Sequence, residues 1–236
     1  MPIKRPPLVN GEIYHIVIRA VEGMKLFRDE RDYFRSLHNL FEFNDKNPTI
    51  WSYRQHYENS SRSGRIKKER KMLVEILTFC LMPNHVHLLI KQVRGQGISK
   101  FMRKIGAGYG MYYNKKYERK GHVFDGRFRA VIVKNDEQLK TLFVYIHTNP
   151  VAIIAPKWKE EGIKTKNIED VIKFLENYKW SSYPDYLGKK NYPLLTNREL
   201  LSNLMGSIDN SRHFVKEWIS LKKQMADSNF KEILIN

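Results

Sequence analysis

The sequence predicts an α+β domain: an antiparallel sheet with helices packed on one face, followed by a helical appendage. Three observations predict it. Segments rich in β-branched and aromatic residues alternate with segments whose apolar residues recur every three or four positions. Their order is strand, helix, strand, strand, helix, strand, then one more helix. Apolar residues make up 42% of the 236, with twelve Phe and thirteen Tyr, which suffices for a packed core. The first six elements match the split β-α-β ferredoxin-like plan.

The elements follow in order. Glu12 to Ala20 (E-I-Y-H-I-V-I-R-A) reads as a strand. Arg31 to Asn44 carries Tyr33, Phe34, Leu37, Leu40 and Phe41 on one helical face, with Asp29 as a plausible N-cap. Asn59 to Lys71 holds Arg62, Arg65, Lys67, Lys68, Arg70 and Lys71, and fits a solvated charge run or a phosphate-contacting loop equally. Leu73 to Cys80 and His85 to Lys91 read as a strand hairpin, with Met82-Pro83-Asn84 as its turn. Ile98 to Tyr117 is a helix weakened by Gly106, Gly108 and Gly110. Phe128 to Val133 is a fourth strand, and Asp136 caps a helix that runs to about Thr148, where Pro150 stops it. After Pro150 the pattern weakens; Asn167 to Tyr178, Asn197 to Met205 and Ser211 to Lys223 are candidate short helices. The expected organisation is one domain over 1–188, with a basic insertion at 59–71, and a helical extension over 189–236.

Charge narrows the function. Lys plus Arg number 42 against 25 Asp plus Glu, a net of +17, so the partner is expected to be a polyanion, most commonly nucleic acid. No apolar run approaches the ~20 residues needed to span a bilayer. The N-terminus has no apolar core of a secretory signal. Cys80 is the single cysteine, so no intrachain disulfide can form, which fits a reducing cytosol.

Two features carry chemistry. Residues two apart in a strand share a face, so His85 and His87 point together while Val86, Leu88 and Ile90 enter the core. Two adjacent imidazoles suit a divalent metal, and a third ligand must come from elsewhere. The bare pair fits two half-exposed histidines as well. Cys80 with the two histidines is a rival zinc set, though no second cysteine exists to complete it. On the last helix Tyr145 and Asn149 lie four apart, so they can share a face. Asn149 precedes Pro150, which disfavours the α conformation there, so its amide is expected at a fraying end, free to reach outward as a hard-metal ligand. A partly buried aromatic and a plain helix stop account for the two residues equally.

Four segments together are more specific: L-M-P-N-H-V-H-L-L-I (Leu81 to Ile90), G-H-V-F-D-G-R-F-R-A (Gly121 to Ala130), Y-I-H-T-N-P-V (Tyr145 to Val151) and W-S-S-Y (Trp180 to Tyr183). With these segments in this order, the chain resembles the HUH-superfamily single-tyrosine transposases, above all the REP-associated tyrosine transposases and related insertion-sequence enzymes. The resemblance covers roughly Glu12 to Gly188. It implies an HUH-nuclease type of fold, Tyr145 as nucleophile, and His85, His87 and Asn149 as ligands of one divalent cation, Mg²⁺ or Mn²⁺. It also implies cutting and rejoining of single-stranded or hairpin DNA through a covalent 5′-phosphotyrosine. His147, two residues from Tyr145, falls on nearly the opposite helix face and is not carried over.

For the nucleic acid itself, Arg103, Lys104, Lys115, Lys116, Arg127 and Arg129 are the expected phosphate contacts. The first four lie among Tyr109, Tyr112, Tyr113 and Tyr117, whose rings either stack on unpaired bases or belong to the core. A nucleoid-associated cytoplasmic protein, monomer or homodimer, is expected. The competing reading is a non-catalytic nucleic-acid-binding protein descended from such an enzyme.

Overall fold

The computed structural model describes residues 5–47, 70–161, 163 and 167–225. The expected order is present: β1 (Ile13–Arg19), α1 (Glu30–Glu42), β2 (Val74–Met82), β3 (His85–Gln92), α2 (Gly97–Lys116), β4 (Arg129–Ile132) and α3 (Asp136–Thr148). The sheet order is β2-β3-β1-β4 with antiparallel neighbours. The β2–β3 hairpin closes across Pro83-Asn84, with Met82 opposite His85. Most of the basic run expected at 59–71 lies outside the described residues, as does 226–236 of the C-terminal extension.

Register divides the sheet into two unlike faces. Val17 lies opposite His87 and Arg19 opposite His85, and Cys80 faces His87 from the other side. Directly opposed residues share a face, so one face carries His15, Val17, Arg19, Cys80, His85, His87 and Leu89. The other carries Tyr14, Ile16, Ile18, Val86, Leu88 and Ile90, all buried. This apolar face is covered by α1 and α2; Ile18 shares a groove with Met102 of α2.

Local chemistry sets each of these two helices. α1 begins in a reciprocal capping box: Asp29 accepts from the Asp32 backbone N–H at 3.1 Å, and Asp32 accepts from the Asp29 N–H at 3.3 Å. Lys116, in the last turn of α2, donates to both carboxylates, at 2.8 and 2.6 Å. The Tyr112 and Tyr117 hydroxyls donate to Asp32 as well. This cross-tie joins the start of α1 to the end of α2. At its other end α2 approaches the sheet closely: a Cβ on Gly97 would lie 2.2 Å from the Leu73 carbonyl oxygen, so only glycine fits.

α3 covers the opposite face, the one bearing the histidines. Its N-cap is Asn135, whose side chain accepts from the Gln138 N–H at 2.8 Å, one residue earlier than the expected Asp136. Asp136 instead opens the first turn, where a carboxylate favours the helix dipole. After α3 come α4 (Val151–Ile154), α5 (Trp158–Glu161), α6 (Ile168–Glu176), α7 (Tyr183–Tyr186), α8 (Glu199–Met205) and α9 (Ile208–Met225). The W-S-S-Y segment runs beside β2: the Leu81 N–H donates to the Trp180 carbonyl, and the Ser182 N–H to that of Phe79. It thereby covers a sheet edge that would otherwise present unpaired backbone. α8 and α9 pack against α3. Among the described residues no helix is long and apolar enough to cross a membrane.

Candidate active site

The site is built from β1, β3 and α3. His87 is 1% exposed and His15, on the adjacent strand, is 0% exposed. Their rings lie parallel with centroids 5.2 Å apart, and His15 Nε2 meets His87 Nδ1 at 3.0 Å. The His85 ring stands edge-on to His87 at 4.8 Å. Tyr145, 2% exposed, reaches down from α3 and sets its ring edge-on to both His87, at 5.7 Å, and His15, at 5.9 Å. The phenol expected from the late helix therefore meets the imidazoles of the central strands.

Hydrogen bonding commits the ring nitrogens. Asn84 Oδ1 lies 2.6 Å from His85 Nδ1. An amide oxygen only accepts, so that nitrogen carries the proton and His85 Nε2 carries the lone pair. His87 Nδ1 is likewise engaged, by His15, while His87 Nε2 is buried with no hydrogen-bond partner. When His87 Nδ1–H is the donor, its Nε2 also holds a lone pair. Metal-ligating histidines show this pattern, one ring nitrogen held by a neighbour and the other presented. Burial holds the imidazoles neutral. It pushes His15 and His85 down to about 3 and His87 well below the usual histidine range, with the cations Lys159 and, for the β3 pair, Arg19 adding to the effect.

The structure corrects the picture of Asn149. It adopts the α conformation despite the following proline, and it is 4% exposed. Tertiary packing overrides the local preference: Pro150 leads straight into α4, and Val151 is fully buried. The amide is not free. Its Nδ2 donates to the Tyr145 carbonyl at 2.8 Å, and its Oδ1 accepts from Lys159 Nζ at 3.3 Å. Lys159, from α5, also sits over the Tyr145 ring, 4.5 Å from its centre.

Burial pushes the Tyr145 phenol up to about 12, and the charge of Arg19 opposes that rise. A tyrosine this hard to ionise needs a cation to become a nucleophile at neutral pH. Cys80 lies across from His87, but burial pushes its thiol up, away from the thiolate that zinc requires. Among the described residues no three His, Cys, Asp or Glu side chains group so as to hold a metal. His147 points away from these groups: its Nε2 meets Ser182 Oγ at 2.8 Å, and its ring packs on Phe143 and Tyr183.

The expected phosphate contacts separate into two groups. Arg103, Lys115, Arg127 and Arg129 are exposed. Arg103 and Arg127 line a groove of about 560 Å³ on the α2 side, together with Arg5, whose guanidinium stacks 3.8 Å over Phe128. Arg129 lies on the edge strand opposite Val17. Lys116 is held by its two aspartates, and Lys104 donates to the carbonyls of Asp45 and Asn47, so both are spent inside the fold. Tyr109 and Tyr113 are core residues whose hydroxyls donate to the Leu26 and Lys25 carbonyls. Tyr112 and Tyr117, both half-buried, give their hydroxyls to the Asp32 cross-tie.

Sequence reasoning missed three participants: His15, Lys159 and Asn84. A signal existed for one of them, since the P-N-H order places an amide directly before the first histidine.

Comparison with known proteins places the chain's sequence and fold. Residues 49–149 match the family model described as "Transposase IS200 like". No curated protein matches the sequence. The fold is similar to a solved structure described as "Structure of the REP associates tyrosine transposase bound to a REP hairpin", with a TM-score of 0.51 at 14% identity, covering 85% of this chain and 93% of that one. In sequence over its central region, and in fold over most of its length, the chain is thus similar to the IS200-like and REP-associated tyrosine transposases.

Proposed function

We propose that this protein is a metal-dependent DNA strand transferase that nicks and rejoins single-stranded DNA, with Tyr145 as nucleophile. The observation that carries the reading is the meeting of a buried phenol with His87, whose Nε2 has no partner, in a chain similar to transposases. A buried nitrogen without a partner costs free energy, and a bound cation would repay it. His85, His87 and Asn149 are the residues that would hold one divalent ion, Mg²⁺ or Mn²⁺. Such an ion supplies Lewis-acid polarisation of a phosphate oxygen.

The chain's own residues do the rest. His15 and Asn84 hold the two imidazoles in the orientation that presents Nε2. Arg19, next to the phenol, favours its ionised form. Tyr145 Oη attacks the scissile phosphorus, the P–O3′ bond breaks, and the phenol's proton ends, through solvent, on the departing 3′ oxygen. The phosphodiester energy is retained in the phosphotyrosine bond, so a second 3′-hydroxyl reverses the step without a nucleotide cofactor.

Arg103 and Arg127 on the α2 side and Arg129 on β4 supply the charge that attracts the DNA backbone. Because β4 is the sheet edge between those surfaces, a strand touching both passes around it. Hairpin DNA is the substrate form favoured by the likeness to a protein solved with a REP hairpin.

Labelled hairpin DNA with a single-stranded flank, incubated with the protein and Mn²⁺, tests the reading on a denaturing gel. A protease-sensitive covalent adduct should form and should disappear in Tyr145→Phe. An adduct that persists in that variant rejects Tyr145. Salt-sensitive binding with no adduct under any metal favours the non-catalytic alternative.

A further inference from the structure

Lys159 is a residue for which the four shared segments have no place, yet three observations put it in the site. Its ammonium lies 3.3 Å from Asn149 Oδ1 and 4.5 Å from the centre of the Tyr145 ring. Its charge acts on His15, His85 and His87, helping to keep each of them neutral. It comes from α5, a single turn that begins at the fully buried Trp158, so its backbone is anchored beside α3.

The chemistry of that position is specific. An amide oxygen accepts from an ammonium or coordinates a hard cation with the same lone pairs. Asn149 Oδ1 is therefore occupied by the one kind of group that substitutes for a metal ion. Resting on the reading that His85, His87 and Asn149 form the metal site, we infer that Lys159 is a positioning residue that acts as a placeholder cation. It holds the Asn149 amide in place without metal and must be displaced for a divalent ion to bind. Because both are positive, ammonium and ion repel each other as well as compete for Oδ1. A DNA phosphate near Tyr145 gives the displaced ammonium a new anionic partner. Metal and DNA then each promote the other's binding, as linkage requires.

Mn²⁺ affinity, measured without DNA by electron paramagnetic resonance and calorimetry, tests this on the full chain. Lys159→Met keeps the chain length and removes the charge. It should bind Mn²⁺ at least about tenfold more tightly than wild type, the order of a unit charge facing a divalent one across a few ångströms even with water-like screening. Lys159→Arg restores the charge and should return the affinity towards wild type. In the Tyr145→Phe background, which blocks cutting, single-stranded DNA should raise Mn²⁺ affinity more with Lys159 present than with Met. Thermal melts of each variant separate these effects from misfolding. Unchanged or weaker Mn²⁺ binding in Lys159→Met, while wild type binds through His87, overturns the placeholder role alone. Wild-type Mn²⁺ binding that survives His87→Ala instead overturns the metal site itself, and the placeholder role with it.

Discussion

Each face of the sheet is covered by helices that bury tyrosines against it, and the two sets of tyrosines are treated differently. On the α1–α2 side, Tyr109 and Tyr113 donate to backbone carbonyls, and Tyr112 and Tyr117 converge with Lys116 on Asp32. Every one of these polar groups serves the fold. On the α3 side, Tyr145 sits among imidazoles of which His15 Nδ1 and His87 Nε2 are buried without partners, beside the cations Arg19 and Lys159. The tyrosines of the first side are tied into the fold, whereas Tyr145 stands beside imidazole nitrogens and cations, the setting in which buried polar groups serve a site.

Breaking each side should therefore have different consequences. The largest effect is on chemistry alone: Tyr145→Phe should reduce covalent adduct to background in the gel assay while leaving the melting curve close to wild type. Next comes Asp32→Ala, which leaves two phenols without their acceptor and Lys116 with Asp29 alone. It should cost about 1–3 kcal/mol in urea unfolding, as leaving part-buried donors without their acceptor does. Adduct formation by the fraction still folded should persist.

Acid should sharpen the contrast. His15 and His147 are held down to about 3 by burial, and His87 well below the usual histidine range. An unfolded histidine titrates near 6.5. With the folded value depressed, the stability is fully present above about pH 6.5 and is lost as pH falls from there towards about 3, because the unfolded chain takes up protons that the folded one refuses. Each such imidazole contributes a slope of up to about 1.4 kcal/mol per pH unit. Urea unfolding at pH 7.5, 6.5, 5.5 and 4.5 reads this directly. His147→Gln, away from the Tyr145 cluster, should lower the slope by one proton's worth; a flat profile between pH 6.5 and 4.5 contradicts buried neutral imidazoles. A smaller effect is expected at His15: His15→Leu should weaken Mn²⁺ binding by about 10–100-fold, typical for loss of a residue that orients a ligand. His15→Gln, able to accept from His87 Nδ1, should recover part of it.

How much of this was legible in the sequence depends on the range of the interaction. Period-two alternation places His85 and His87 on one face, and a capping residue near Asp136 with Pro150 as the stop bounds α3, because both signals are local. The partner of His87 was not legible. His15 lies 72 residues away in sequence, and only strand register brings the two rings together. Lys159 was hidden for a similar reason, since its place depends on how α4 and α5 turn back over α3. Asn149 was misjudged because the local rule for residues before proline met a helix that tertiary packing carries through. The tyrosines of α2 left two readings open, since spacing reveals a face but not what covers it.

The most direct measurement is tandem mass spectrometry of the protease-digested adduct formed with hairpin DNA and Mn²⁺. The account predicts a nucleotide joined through a 5′ phosphate to Tyr145 in the peptide spanning residues 141–157. A nucleotide on any other residue, or no covalent nucleotide when the DNA has been cut, would contradict it.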